Sequence, residues 1–353
     1  NAGDTVGKSK GFVAGMQVVV ALALSACAVP WPAPFPASRP VLMAVVSKAL
    51  PGVTLFDAAT DRQICQVKMD VAPHEAAFTR DGRLLIVPIY SSANIGQPGP
   101  DGHAINFMRT SDCGIEHVLD TGAIKRPHFA ETGTSGLVYV TAEQDQAILI
   151  VDPAKRAIVG QLPTGSRNTH FFALTPDEKR IFTSNVGDRT LSVIDVPGRR
   201  LLATVDAGAS NQRMTVSPDG RWFVTSLWQS RKVAFYRVAD HQLDFTVDID
   251  GAPFVGRFSR DGKHLYNMGM EPNAQPAGIR VWKIDVATRQ VVAQSSQKLG
   301  VGTGGIQVNP VNGLLYLTAY SGQVSVLDPD TLQLLRQFPA ADTPDGIFFS
   351  ANR

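Results

Sequence analysis

The sequence predicts an all-β protein, a seven-bladed β-propeller with four antiparallel strands per blade, and three observations carry that prediction. Turn signals recur at a fixed period, short β-rich runs follow them at matching offsets, and no long segment keeps a helical repeat of apolar residues. The turn pairs are Asp81-Gly82, Ser135-Gly136, Asp177-Glu178, Asp219-Gly220, Asp261-Gly262 and Asn312-Gly313, and from Asp177 to Asp219 to Asp261 the spacing is 42 residues. Asp-Gly and Asn-Gly suit hairpins, because both central positions of such a turn tolerate positive φ. Behind each turn stands a first run, such as Leu137–Thr141, Arg180–Ser184, Trp222–Thr225 or Leu315–Thr318. A second run closes on Asp152, Asp195, Asp285 or Asp328, and a third follows, as at Leu201–Val205. Four short strands per unit make one propeller blade.

Taken in chain order, the first element is an address. Lys8 and Lys10 precede an apolar run from Phe12 to Ala26. As a helix it would span roughly 22 Å, short of a hydrocarbon core of about 30 Å, so residues 1–27 read as a signal peptide. The run ends in Leu24-Ser25-Ala26-Cys27, which resembles a bacterial lipobox with Cys27 as the lipidated residue; ordinary cleavage beside Cys27 is the alternative. The expected location is therefore outside the cytoplasm, as a periplasmic or outer-membrane lipoprotein of a bacterium. Residues 28–40 carry Pro30, Pro32, Pro34, Pro36 and Pro40 and read as a stiff linker, leaving 41–353 for the propeller.

Val41 to Asp70 aligns with the last three strands of a unit, and Pro344 to Ser350 with a first strand only. One strand from the end and three from the beginning would complete a blade and remove two exposed sheet edges. Cys65 and Cys113 fall at the outer-strand stage of neighbouring repeats, where a disulfide is allowed in an exported protein but not required by spacing.

Composition fits this reading. Of 353 residues 44% are hydrophobic and 18% charged, with 31 Gly and 23 Pro, which favours a turn-rich β fold with a large core. Lys and Arg number 33 against 31 acidic residues, so bulk charge gives no reason to expect a nucleic-acid partner.

Tyr139-Val140-Thr141-Ala142, Phe223-Val224-Thr225-Ser226 and the turn Ser217-Pro218-Asp219-Gly220 resemble the YVTN-repeat family of extracytoplasmic seven-bladed β-propellers. The resemblance spans essentially everything after residue 40. It implies relatives among cell-surface and periplasmic binding proteins, 6-phosphogluconolactonase-like lactone hydrolases and the propeller domain of cytochrome-type nitrite reductases.

Two inserts, Ser91 to His103 and Met270 to Gly278, lengthen the connection between the second and third strands and mark one face as loop-rich. Aligning the blade-to-blade connections puts His74, His128, His170, Gln212, Phe254, Gly304 and Asp345 at comparable places, where the innermost strand begins. With Glu75, Arg126, Arg167, Arg213 and Arg257 beside them, these residues would ring the channel mouth. The expected role is binding of an envelope protein, a peptide or a small anionic ligand by a monomer, held to a membrane only through its lipid. The alternative is a lactone hydrolase with His74, His128 or His170 as base and Arg167 or Arg213 as electrophilic support. A metal reading would need His74, His128 and His170 within roughly 4 Å of one another; neither metal nor cofactor is expected.

Overall fold

Blade sheets form because each repeat alternates turn chemistry with β-branched and aromatic runs that can bury both faces. In the computed structural model the described residues are Gly3 and 40–350, apart from 94, 96 and 272–275. Residues 1–27 that read as a signal peptide, Gly3 aside, and all but the last residue of the proline-rich segment lie outside the described residues, Cys27 among them. Within the unit Trp31–Arg353, twenty-eight strands, β1 to β28 in chain order, form seven four-stranded antiparallel sheets. The architecture is the seven-bladed propeller that the repeat spacing predicts.

The first blade is the composite one. Its order is β28 (Pro344–Phe349), β1 (Leu42–Ser47), β2 (Gly52–Asp57) and β3 (Gln63–Lys68). β28 pairs with β1 through Met43↔Phe349, Ala44↔Phe348 and Val45↔Ile347. Leu42 N–H donates to Ser350 Oγ at 2.9 Å, and Ser350 N–H donates back to the Leu42 carbonyl at 2.9 Å. Six further blades follow with innermost strands β4 (Ala77–Phe78), β8 (Pro127–Thr132), β12 (Thr169–Leu174), β16 (Asn211–Val216), β20 (Ala252–Phe258) and β24 (Thr303–Val308).

The core is distributed. Seven hydrophobic clusters fill the seven contacts between adjacent blades, and the one joining last blade to first packs Met43, Val45 and Phe56 against Tyr316, Val324 and Val326. Middle strands therefore bury both faces. In β10 (Ala147–Asp152), Leu149 and Val151 face one neighbouring blade while Ile148 and Ile150 face the other. Outer strands have a single neighbour; β15 (Arg200–Asp206) alternates exposed and half-buried positions throughout.

Two local details differ from the sequence expectation. In the repeat turns only the second residue takes positive φ: Gly82, Glu178, Gly220 and Gly262 do, and the preceding Asp does not. The Asp serves instead through its carboxylate, as where Asp219 Oδ1 accepts from Ser217 Oγ and Arg221 N–H at 2.6 and 3.0 Å. This is a type I turn closed by one left-handed residue rather than a primed turn. The first insert is also shorter than expected, because Asp101–His103 join the third strand of their blade and Ser91 pairs with Asp101.

Cys65 on β3 and Cys113 in a turn of the next blade form a disulfide, which settles what spacing left open. The bridge closes a loop of 48 residues and staples the composite blade to its neighbour. Cys65→Ser, or reduction of the wild type, is expected to cost about 2–4 kcal/mol, read as a lower denaturant midpoint with a slope that holds or rises as the uncrosslinked denatured chain exposes more surface.

Candidate functional site

The inner strands present one register to the channel mouth. Asp345, His128, His170, Gln212 and Gly304 are each the second residue of their strand, Phe254 is the third of β20, and His74 stands three residues ahead of β4. Pro73 bridges Ile89, which ties the segment before β4 into the sheet. The alignment made from sequence is thus a spatial ring.

One half of the ring is ionic. Asp345, 1% exposed, receives Lys48 Nζ on Oδ2 at 2.7 Å and a hydrogen bond from Arg213 Nη2 on Oδ1 at 2.8 Å. Tyr320 Oη donates to Asp345 Oδ1 at 3.4 Å and accepts from Lys48 Nζ at 3.3 Å. The same Arg213 Nη2 lies 2.6 Å from Glu75 Oε1, yet that oxygen is out of line for a hydrogen bond and is left without one. The Arg213 guanidinium stacks on Phe171, 4.4 Å from the ring centre. Among the described residues the guanidinium of Arg257, half-buried on β20, has no hydrogen-bond or ion-pair partner, and its buried Nε–H has no acceptor.

The other half is aromatic. His74 packs on Tyr90 and His128, with centroids 4.3 and 5.3 Å apart, and His128 stacks on His170 at 4.0 Å. Beneath them Glu143, fully buried, accepts from Tyr90 Oη at 2.8 and 2.9 Å and from His170 Nδ1–H at 3.2 Å. That bond leaves the Nε2 lone pair of His170 as its acceptor. His128 Nδ1–H donates to the His170 carbonyl at 3.2 Å.

Electrostatics follows from this packing. Burial raises Asp345, but Lys48 and Arg213 outweigh it and hold the carboxyl well below the usual range. Burial would lower Lys48, and Asp345 beside it carries the ammonium above its ordinary value instead. Glu75 is pushed up to about 8 by burial, which Arg213 offsets in part and Asp345 reinforces. Arg257 is pulled down to about 10 by burial and by the neighbouring Arg213. His74 and His128 both fall well below 6.5: burial is the larger cause, followed by Lys48 at His74 and by the other imidazoles at His128.

The remaining predicted residues fall to one side. Arg126 is buried and pins the first insert, donating to Asp101 Oδ1 and to the Gln97 carbonyl at 2.5 Å each, with its Nη1 3.9 Å from Glu143. Arg167 is exposed and lines a groove of about 710 Å³ with Gln97, Asp101, Arg126, Gln144 and Asn168, so it stands outside the ring. His74 meets His128 edge to face and His128 stacks on His170, and among the described residues no group of three His, Cys, Asp or Glu is arranged to hold a metal ion. Sequence reasoning missed Lys48, Tyr90, Glu143 and Tyr320. Three of them have a repeat signal: Lys48, Glu143 and Tyr320 each immediately follow the second strand of a blade, after Ser47, Ala142 and Ala319.

Residues 116–266 match the family model of YNCE-like beta-propellers. Among solved structures, a functionally unknown protein from Desulfotomaculum acetoxidans is similar at 13% identity with a TM-score of 0.71, over 87% of this chain and 98% of that one. A candidate 6-phosphogluconolactonase from Bacteroides uniformis is similar at 15% identity and a TM-score of 0.68, over 88% and 99%. Dihydro-heme d1 dehydrogenase NirN is similar at 17% identity and 0.62, over 88% and 75%. No curated protein matches the chain. At these identities the likeness to solved structures is one of fold.

The buried imidazoles carry a pH signature. An unfolded chain protonates them near 6.5 while the folded ring keeps them neutral, so their contribution to stability is present above that pH and lost as pH falls below it. His128→Gln is therefore expected to lose stability relative to wild type at pH 7 and to lose less at pH 5, measured by paired denaturant titrations at both values.

Proposed function

We propose that this propeller binds a small anionic ligand at the channel mouth, on the face that carries the inserts. Arg257 supports the reading most directly. Among the described residues, Lys48 and Arg213 of the ring each have a carboxylate partner within ion-pair distance, whereas Arg257 has none. An unpaired guanidinium held partly out of water lowers stability unless something compensates it, and its planar donors match a carboxylate or phosphate. The imidazole and phenol rings of the aromatic half of the ring offer flat surfaces for the rest of such a ligand. Export as a lipoprotein and kinship with the YVTN-repeat propellers belong to the same proposal; the Cys65–Cys113 bridge agrees with an oxidising compartment.

The test uses two anions that stay fully ionised from pH 6.5 to 9, benzoate and sulfate. Calorimetry at pH 6.5 is expected to show binding of at least one of them. Arg257→Gln should weaken it by roughly ten- to a hundredfold, the range for a charge-assisted hydrogen bond, while thermal stability holds or rises. A loss of stability in that variant would mean that Arg257 is structural.

A second reading, lactone hydrolysis, is favoured by one observation. The Glu143–His170 hydrogen bond fixes the imidazole with Nε2 as a lone-pair acceptor, the arrangement a general base needs to take a proton from water. Arg213 and Arg257 would then face the oxyanion formed when that water attacks a lactone carbonyl. His74 and His128 are less suited, being almost fully buried and held neutral. Turnover of a lactone panel that disappears in His170→Ala with melting temperature kept would support hydrolysis; no turnover by the wild type would remove it.

A further inference from the structure

Two carboxylates meet at a single donor in this ring. Glu75 and Asp345, each 1% exposed, both approach Nη2 of Arg213, at 2.6 and 2.8 Å. Asp345 takes the hydrogen bond and has Lys48 on its other oxygen, so it is the better compensated of the two. Glu75 Oε1 is buried with no hydrogen bond, and Oε2 occupies the space that a side chain at Gly346, on the strand that carries Asp345, would fill, 2.5 Å from where its Cβ would stand. Two buried like charges that share one cationic partner do not both stay ionised without cost. Lys48 and Arg257 also favour the ionised form of Glu75, and Arg257 has no side-chain partner of its own among the described residues.

Resting on the anion-binding reading above, we propose that an incoming carboxylate or phosphate-type oxyanion that binds Arg257 drives a proton onto Glu75, the less compensated of the two carboxylates that meet at Arg213. Binding is then an exchange: one negative charge arrives on the guanidinium, one proton from solvent neutralises the buried carboxylate, and the ring keeps its net charge. The ligand is a small oxyanion, and its affinity is linked to pH through a residue that need not touch it.

The groups that face Glu75 leave it as the one that changes near neutrality and mildly alkaline pH. On its own segment, His74 is held neutral by burial and by Lys48. From the end of β1, Lys48 is held charged; from β28, Asp345 is held ionised; from β16, Arg213 is pulled down by burial but kept charged by both carboxylates. Tyr320, beside Asp345, is raised by burial, and Arg257 on β20 loses its proton only near 10. Glu75 itself, raised to about 8 by burial, is largely protonated at pH 6.5 and largely ionised at pH 9 in the empty ring. A bound anion raises it further. Affinity should accordingly be flat below pH 7 and fall as pH rises through 8, approaching tenfold per unit.

Calorimetry of the wild type with benzoate and with sulfate, each in two buffers of different ionisation enthalpy, reads the protons taken up directly. The expected result is close to none at pH 6.5, rising toward one at pH 9, for whichever probe binds; benzoate alone would point to carboxylate ligands, sulfate alone to phosphate-like ones. Glu75→Gln should bind at pH 6.5 within a few-fold of wild type, take up no proton at pH 9 and lose the alkaline fall in affinity. Binding whose heat is independent of buffer at pH 9 overturns this proposal and leaves the anion site standing. Uptake that persists in Glu75→Gln overturns the assignment to Glu75. If that variant does not fold, the infrared carbonyl band of a protonated carboxyl in the wild type is the second readout. Its presence at pH 6.5 and loss by pH 9.5 supports the proposal, and its absence at both overturns it. Failure of both anions to bind at millimolar concentration at pH 6.5 overturns the anion site itself, and this proposal with it.

Discussion

Pairing of β28 with β1 is the constraint on which the rest depends. A row of blades with free ends would expose two sheet edges and leave one side of each end blade without its apolar neighbour. The composite blade satisfies both: Ile347 and Phe349 enter the cluster with Met43, Val45 and Tyr316 that joins last blade to first. Tyr316 Oη also donates to Asp61 and Asn309 Nδ2 to the Ala58 carbonyl, at 2.8 and 2.7 Å across the same seam. The disulfide then fixes the composite blade to its other neighbour.

Closure builds the site as well. Asp345 sits on the closing strand, and Lys48 ends the strand it pairs with, so the ion pair at the centre of the ring exists only when the two termini have met. Arg213 and Tyr320 reach the same carboxylate from two other blades, and Glu75 meets Arg213 from a third. A cluster of this kind is costly to bury, because each charge gives up water and recovers only what its partners supply. The seven interblade clusters provide the rigidity that holds it, and compensation stays incomplete at Glu75 and Arg257.

Much of the ring was legible from the repeat. His74, His128, His170, Gln212 and Asp345 were placed by one alignment of the blade connections, because a propeller returns the same register to the channel once per blade. Lys48, Glu143 and Tyr320 obey a second register, one residue past the second strand, which the same alignment could have exposed had it been applied to that turn. Arg167 shows the opposite limit: three residues from His170 in sequence, it points to the groove under the first insert. The turn Asp residues were expected to supply backbone freedom and supply a carboxylate cap instead, since only the residue after them needs the left-handed conformation.

Period, strand alternation and the complementary ends are properties of local pattern, and the sequence alone determined them: seven units, four strands each, closed by the last strand. Tertiary structure alone decided which carboxylate keeps its charge, which guanidinium goes unpaired and that Cys65 meets Cys113. Those outcomes depend on distances between residues as far apart as 48 and 345 and on how much water is excluded around them, and neither quantity is encoded at any single position.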